Sequence, residues 1–193
     1  MDLTQGTVEH KNARAKKMML WFGIISMAMM FAGLTSAYVV SKSRPDWLKE
    51  FQIPQAFYIS TIAILLSSIT IHMAKRAIKK EASKNGTYFL TGTLLLGIAF
   101  IFFQFKGFGQ IIAQGYYFTG SESSITTSFL YAITLTHIVH VFAGIIVLTT
   151  IFVKHLKGSY NQGKTLGLEL GVTFWHFLDF LWLYLILFFY FFR

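Results

Sequence analysis

The sequence has 193 residues, of which 54 % are hydrophobic, 18 % are aromatic and only 13 % are charged. A soluble domain carries about 25 % charged residues and could not bury so much apolar surface, so the composition predicts a membrane protein. The absence of Cys excludes disulfides, iron–sulfur clusters, thiolate metal sites and thiol nucleophiles. The net charge of +9 lies between apolar runs rather than along one face, which argues against nucleic acid as a partner.

Five apolar stretches, each long enough to cross a bilayer, follow one another along the chain. They cover residues 18–40, 54–74, 87–105, 126–153 and 171–192. Turn signals between them are Arg44-Pro45-Asp46, Lys84-Asn85-Gly86 and Lys157-Gly158-Ser159. We therefore expect an all-α polytopic membrane bundle of five transmembrane helices, with a basic tail at residues 1–17 and a single domain at residues 18–193.

The Lys and Arg residues predict how the bundle is oriented. Twelve of them lie in the N-terminal tail, the second loop and the fourth loop, which share one side of the membrane. Five lie on the opposite side. Because cytoplasmic loops carry the excess of positive charge, we expect the N-terminus in the cytoplasm and the C-terminus outside.

Small residues recur every four positions in the first span. One row consists of Ala28, Ala32 and Ser36, and Gly33 and Ala37 form a second row beside it. Small side chains at this spacing let two helices approach closely in lipid. The pattern predicts that this face lines a contact between helices.

Two histidines lie midway along the fourth span, where an ionisable group is costly and needs a physical reason. His137 and His140 are three residues apart and therefore point to adjacent faces of one helix. Gly144 follows on the same side. This cluster is the first candidate site.

The fifth span begins with a second polar cluster. His176 and Asp179 are three residues apart, within side-chain reach of each other on a helix. Trp175 and Trp182 are seven residues apart and share one face. These four side chains form the second candidate site.

Three interpretations of these clusters are open: a haem or metal site, a proton relay, or hydrogen bonds that fix the packing of the last two helices. Counted from the predicted helix ends, His137 and His176 differ in depth by roughly 15 Å. That separation is too large for one haem or one metal ion. We therefore favour the structural interpretation, and we expect no catalytic residue and no metal ligand in this chain.

The segment from Thr134 to Gly144 resembles a motif of subunit III of haem–copper cytochrome oxidases, in which Thr precedes His-x-x-His-Val-x-x-Gly. A second match is Glu169 followed by Trp175-His176-Phe177-x-Asp179-x-x-Trp182. Weaker matches in the first three spans extend the resemblance over residues 18–193. The chain is similar to the five-helix form of the family, which lacks the first two of seven helices.

This resemblance implies a non-catalytic subunit of a proton-pumping respiratory terminal oxidase in a bacterial cell membrane. Such a subunit contains neither haem nor copper, which are expected in subunits I and II. Its main partner is subunit I, and subunit II and further respiratory subunits are other expected partners. It also holds phospholipid and supports proton uptake. Lys154 falls where family members have a basic residue near a lipid headgroup. The resemblance also implies structural roles for the motif residues His137, His140, Gly144, Glu169, Trp175, His176, Asp179 and Trp182.

The first span departs from the family pattern, because Met27 follows Ser26 where many members have an intramembrane carboxylate. No proton role of that carboxylate is carried over to this chain. The main alternative function is a free-standing transporter that uses the same His and Asp groups. We disfavour it because the sequence has no inverted repeat and no span is broken at mid-membrane by Gly or Pro. A carrier of b-type haem is disfavoured by the difference in depth between the histidines.

Overall fold

The computed structural model describes residues 7–45, 47–48, 52–80, 82–120, 123–160 and 165–192. Five helices, each long and apolar enough to cross a membrane, make up this part of the chain. They are α1 (Val8–Val40), α2 (Gln55–Lys79), α3 (Ser83–Ala113), α4 (Ile125–Leu156) and α5 (Leu166–Phe192), with one turn of 3₁₀ helix at Ser41–Ser43. The prediction of an all-α bundle with five membrane spans is confirmed.

Helix ends differ most from the sequence prediction at α1 and α3. The helix α1 begins at Val8, ten residues before the apolar run, because residues 8–17 contain no Pro or Gly to interrupt it. The helix α3 continues to Ala113 and includes Lys106, although the predicted third span ends at residue 105 and Lys106 is one of the five Lys and Arg residues assigned to the outer side. Hydropathy marks the part of a helix that fits the hydrocarbon, whereas the helix itself ends where a turn signal stops it.

Local turn chemistry explains where several helices begin and end. The Ser124 hydroxyl accepts a hydrogen bond from the Thr127 amide, which caps the start of α4. Gly115 after α3 and Gly158 after α4 have φ values of +84° and +68°, a conformation that glycine adopts without steric cost. The predicted turn around Gly86 is wrong, because that residue lies within α3. Asp46, Lys49, Lys164 and Arg193 lie outside the described residues.

Four helices form a ring, and the remaining helix lies against its outside. The helices α2 and α3 form a closely packed hairpin, α4 packs against α3, and α5 closes the ring by contacting both α2 and α4. The helix α1 lies outside this ring against α4 and α5. Burial agrees with these positions. Half of the most apolar segment of α5 is buried, whereas only 17 % of the corresponding segment of α1 is buried.

The small-residue rows of α1 face away from the bundle, so they do not form a helix contact within the described part of this chain. The side chains that α1 buries are Ile24, Phe31, Thr35 and Tyr38. By contrast, both small-residue rows are exposed, and a Cβ added at Gly33 would meet nothing within 4 Å. Larger residues bury more apolar area, so they rather than the small residues pack against α4 and α5.

A glycine sets the close approach of α2 and α3. Gly107 lies directly against the Phe57 ring, and a Cβ at this position would be 2.2 Å from the ring carbon Cε1. Phe57 is fully buried and also contacts the rings of Phe108 and Trp182, so it cannot move without disturbing the core. Gly109, two residues later, faces open space.

We therefore predict that Gly107→Ala destabilises the protein and that the matched variant Gly109→Ala does not. Overpacking of a core costs roughly 1–3 kcal/mol, while Ala at an open helix position gains up to about 1 kcal/mol in helix propensity. Unfolding of both variants in mild detergent measures the difference. Equal stabilities would contradict this description of the α2–α3 contact.

Candidate functional site

Trp175 of α5 lies at the point where four helices meet. Its indole Nε1 donates a hydrogen bond to Ser67 Oγ on α2 at 3.0 Å. Its ring covers Gly97 on α3 and Gly144 on α4, where an added Cβ would be 2.9 Å and 3.1 Å from ring carbons. Glycine at these two positions makes room for a fully buried indole.

Trp182 repeats this arrangement two turns further along α5. Its Nε1 donates to Thr61 Oγ1 on α2 at 2.9 Å. Phe100 of α3 contacts the indole edge-on at 5.3 Å between ring centroids, and His137 of α4 is stacked on it at the same distance with an interplanar angle of 25°. Both tryptophans therefore join α5 to all three other helices of the ring.

The hydroxyl groups of α2 make these contacts possible in a bilayer. Ser67 donates to the Ile64 carbonyl and Thr61 donates to the Phe57 carbonyl, both within their own helix. Each hydroxyl oxygen is then free to accept from an indole N–H. A membrane interior offers no water to satisfy these groups, so each polar atom that finds a partner inside the bundle avoids a cost of several kcal/mol.

The same pattern connects α2 to α3. Gln104 Nε2 donates to Ser60 Oγ at 3.0 Å, and the hydroxyls of Thr70 and Thr93 are 2.9 Å apart. These side chains are buried or half-buried. Polar pairs therefore run along the inner face of α2 on both sides of the tryptophans.

His137 is held by packing rather than by hydrogen bonds. Its side chain is fully buried among the rings of Phe31, Phe100 and Trp182. Neither of its nitrogens has a hydrogen-bond partner among the described residues. We had expected hydrogen bonding at this position, so the structure differs from that expectation.

His140 lies one turn away at the contact with α1. Its Nδ1–H donates to the Thr136 carbonyl of its own helix at 2.7 Å, and the ring meets Phe31 edge-on at 5.8 Å between centroids. The side chain is half-buried. Phe31 thus contacts both histidines of the motif and connects α1 to α4.

His176 and Asp179 face α2 instead of α4. His176 Nδ1 is hydrogen-bonded to Ser68 Oγ at 2.7 Å, and the same nitrogen is 3.9 Å from Asp179 Oδ2. The Asp179 side chain is buried. Ser68 also interacts with the carboxyl group, but the two do not meet the geometry of a hydrogen bond.

His137 and His176 are closer in membrane depth than the sequence analysis predicted. His137 is level with Trp182, which is six residues after His176, so the two histidines are about 9 Å apart along the helix axis rather than 15 Å. They also face different neighbours, Trp182 and Ser68. Within the described residues no group of three His, Asp or Glu side chains is arranged to hold a metal ion.

Glu169 and Lys154 lie near one end of the bundle. Glu169 forms an ion pair with Lys79 of α2 at 2.5 Å, so it ties α5 to α2 rather than to α4. Lys154 is exposed in the last turn of α4.

Two buried polar contacts were missed by the sequence analysis. His155 is buried and its Nε2 is 3.1 Å from Thr87 Oγ1 on α3. It follows Lys154 and falls just beyond the predicted fourth span, so its position suggested a solvated loop. Thr35 of α1 and Tyr184 of α5 share a hydrogen bond of 2.9 Å between their hydroxyls, which no motif indicates.

The contact of Trp175 with Ser67 can be tested by a double-mutant cycle. We predict that Trp175→Phe and Ser67→Ala each lower the free energy of unfolding and that the pair shows a coupling of roughly 0.5–1.5 kcal/mol, the net value of one hydrogen bond. Trp21→Phe, a change at an exposed tryptophan of α1, is the matched control. Strictly additive effects of the two core changes would disprove the contact.

Comparisons with known proteins identify the family of this chain. The family model described as cytochrome c oxidase subunit III matches residues 4–193. The chain is 29 % identical to cytochrome c oxidase subunit 3 of Thermostichus vulcanus, over 92 % of this chain and 86 % of that protein. It is 28 % identical to cytochrome bo(3) ubiquinol oxidase subunit 3 of Buchnera aphidicola, over 93 % of this chain and 88 % of the relative.

A third relative, cytochrome c oxidase subunit 3 of Bacillus sp. (strain PS3), is 27 % identical over 93 % of this chain and 85 % of its own length. These comparisons give the transporter alternative no support. The similarity extends over nearly the whole sequence and is not confined to the two histidine motifs. The chain belongs to the cytochrome c oxidase subunit III family.

Proposed function

We propose that this subunit III of a terminal oxidase is a non-catalytic structural subunit that packs against subunit I, with subunit II in the same assembly. In this proposal haem and copper belong to subunits I and II, and oxygen chemistry takes place there. The observation that carries the proposal is how the motif side chains are used. His137, Trp175 and Trp182 fill the contacts between helices of this chain.

The motif residues divide the structural work between two interfaces. Gly144, Trp175, His137 and Trp182 hold α4 against α5, where a Cβ at Gly144 would be 2.7 Å from Leu178 Cδ1. His176, Asp179 and Glu169 lie on the side of α5 that faces α2. His140 meets α1. In this proposal they keep the bundle rigid, so that it presents a constant surface to subunit I.

Exposed small residues on α1 support a partner at that face. The rows that contain Ala32 and Gly33 are exposed in the described bundle, and a Cβ added at Gly33 would meet nothing within 4 Å. Small residues allow a second helix to approach closely in lipid. We infer that a helix of a partner subunit covers this face. A structure of the assembly with nothing against α1 would contradict this.

Lys154 and the basic end of the bundle support a lipid role. Lys154 is exposed at the end of α4, and a Lys ammonium binds a phosphate as a point charge. We infer that a phospholipid headgroup occupies this position. Replacement of Lys154 by Gln should then lower the phospholipid retained by the purified assembly, and unchanged lipid content would contradict this role.

The distribution of Lys and Arg supports an orientation with the N-terminus in the cytoplasm of a bacterial cell. The ends of α2 and α4 at Lys79 and Lys154 lie on the same side as the start of α1. The sequence has no Cys, so single cysteines can be introduced without background labelling. A membrane-impermeant thiol reagent added to intact cells should label Ser43→Cys and leave Lys80→Cys unlabelled. The reverse result would invert the topology.

The function is tested by purifying the tagged chain in mild detergent, with mass spectrometry and a visible spectrum of the product. We expect a haem-bearing subunit I and a copper-binding subunit II to co-purify, with a Soret band that stays with them when this chain is dissociated. A chain recovered alone and colourless, under conditions that leave the oxidase of the host intact, would disprove the proposal.

The same purification can test whether rigid packing is required. Gly144→Ala should reduce the amount of subunit I recovered, because a Cβ there meets both Leu178 and Trp175. Gly92→Ala, where a Cβ meets nothing within 4 Å, is the matched control. Equal recovery with both variants would show that the α4–α5 contact is not needed for assembly.

A further inference from the structure

Asp179 is a buried carboxyl group on the side of α5 that faces α2. Its relative exposure is 3 %, and neither carboxyl oxygen has a hydrogen-bond partner among the described residues. A buried ionised carboxylate without a partner is very costly in a membrane. The group must therefore hold a proton itself or share one with a neighbour.

His176 is the neighbour that can share the proton. Its Nδ1 is 3.9 Å from Asp179 Oδ2, and Ser68 Oγ lies 2.7 Å from the same nitrogen. The His176 side chain is 36 % exposed. Its ring therefore reaches from the buried carboxyl group to the surface of the α2–α5 contact.

A second imidazole continues outward from this pair. His72 of α2 is exposed, and its ring centroid is 6.4 Å from that of His176. Lys75 follows His72 by one turn and also acts electrostatically on His176. Side chains that can exchange protons thus lead from the basic end of the bundle to Asp179.

Other charged groups near this pair interact with different partners. Lys79 of α2 is paired with Glu169 of α5, and Lys17 of α1 lies close enough to act on that glutamate. From α4, the two histidines point elsewhere, His137 onto Trp182 and His140 onto Phe31. Among the described residues, His72 and Lys75 of α2 are the charged or titratable groups that act on His176.

We propose that Asp179 and His176 form a proton-holding site within the membrane, which exchanges its proton with water on the basic side through His72. In one state His176 is an imidazolium and Asp179 a carboxylate. When the proton moves from Nδ1 to Oδ2, directly or through the Ser68 hydroxyl, both groups become neutral and the total charge is unchanged. The imidazolium state exchanges a proton through the other ring nitrogen. Loss of the Nε2 proton leaves a neutral imidazole that keeps its hydrogen on Nδ1, shared with the carboxylate, and uptake of a proton at that bare Nε2 restores the imidazolium. The site rests on the proposed function only in that the assembled oxidase is its natural setting.

Infrared difference spectroscopy of the purified oxidase tests this site directly. The wild-type complex should show a carboxylic-acid C=O band that shifts in D₂O and with carbon-13-labelled aspartate, and Asp179→Asn should remove it. If the Asn variant does not assemble, Asp179→Glu keeps a carboxyl group at this position, and the band should then lose its shift with carbon-13-labelled aspartate. Absence of such a band at both acidic and alkaline pH would overturn the proposal.

The route through His72 is tested by the rate of exchange into D₂O. His72→Gln should slow the D₂O shift of the band by at least about tenfold, since removal of one positioned proton carrier typically costs a factor of 10² or more. His10→Gln removes an exposed imidazole of α1 and is the matched control. Equal rates in the His72 variant and the control would overturn the route. Co-purification of the subunits in the same sample keeps this result separate from the test of the proposed function.

Discussion

The fold depends on two indole N–H groups that must be satisfied inside a bilayer. The helix α5 carries both tryptophans, and each finds its acceptor in a hydroxyl group of α2 that already donates to its own backbone. Once these bonds are made, the flat indoles extend across to α3 and α4. The depth of α5 relative to the other three helices is then fixed, since sliding it by one turn would bury two unpaired donors.

Aromatic packing completes what these hydrogen bonds begin. His137 is stacked on Trp182 and edge-on to Phe31 and Phe100, so one imidazole joins α1, α3, α4 and α5. Within the part of the chain that the structure describes, this imidazole makes no hydrogen bond, which is unusual at the centre of a membrane bundle because its nitrogens lose their hydration. The flat imidazole fits here because it stacks closely on the Trp182 indole.

Parts of this structure followed from the sequence. Five runs of apolar residues were enough to predict the spans, because hydrocarbon thickness sets their length. The spacing of Trp175 and Trp182 was enough to place them on one face. The spacing of His176 and Asp179 likewise predicted that they lie within reach of each other, which the distance of 3.9 Å bears out.

Other parts could not be predicted because they depend on which helices become neighbours. Glu169 and His176 were expected to act between the last two helices, but their partners Lys79 and Ser68 lie on α2. The difference in depth between His137 and His176 was overestimated, because the predicted helix ends were assumed to be level. The small-residue face of α1 resembles an internal contact in sequence, and only the position of Phe31 shows that the helix is turned the other way.

A subunit of this kind contributes a fixed shape to an assembly whose redox chemistry takes place elsewhere. Its core is filled by aromatic rings and hydroxyl pairs, while its most polar contacts, such as Ser68 with His176 and Lys79 with Glu169, lie between α2 and α5.

The measurement that tests this account most directly is a high-resolution map of the assembled oxidase. The account predicts that His137 lies flat on Trp182, that both indoles of α5 donate to α2, and that every haem and copper ligand comes from another subunit. A haem or metal ion coordinated by His137, His140 or His176 would contradict it.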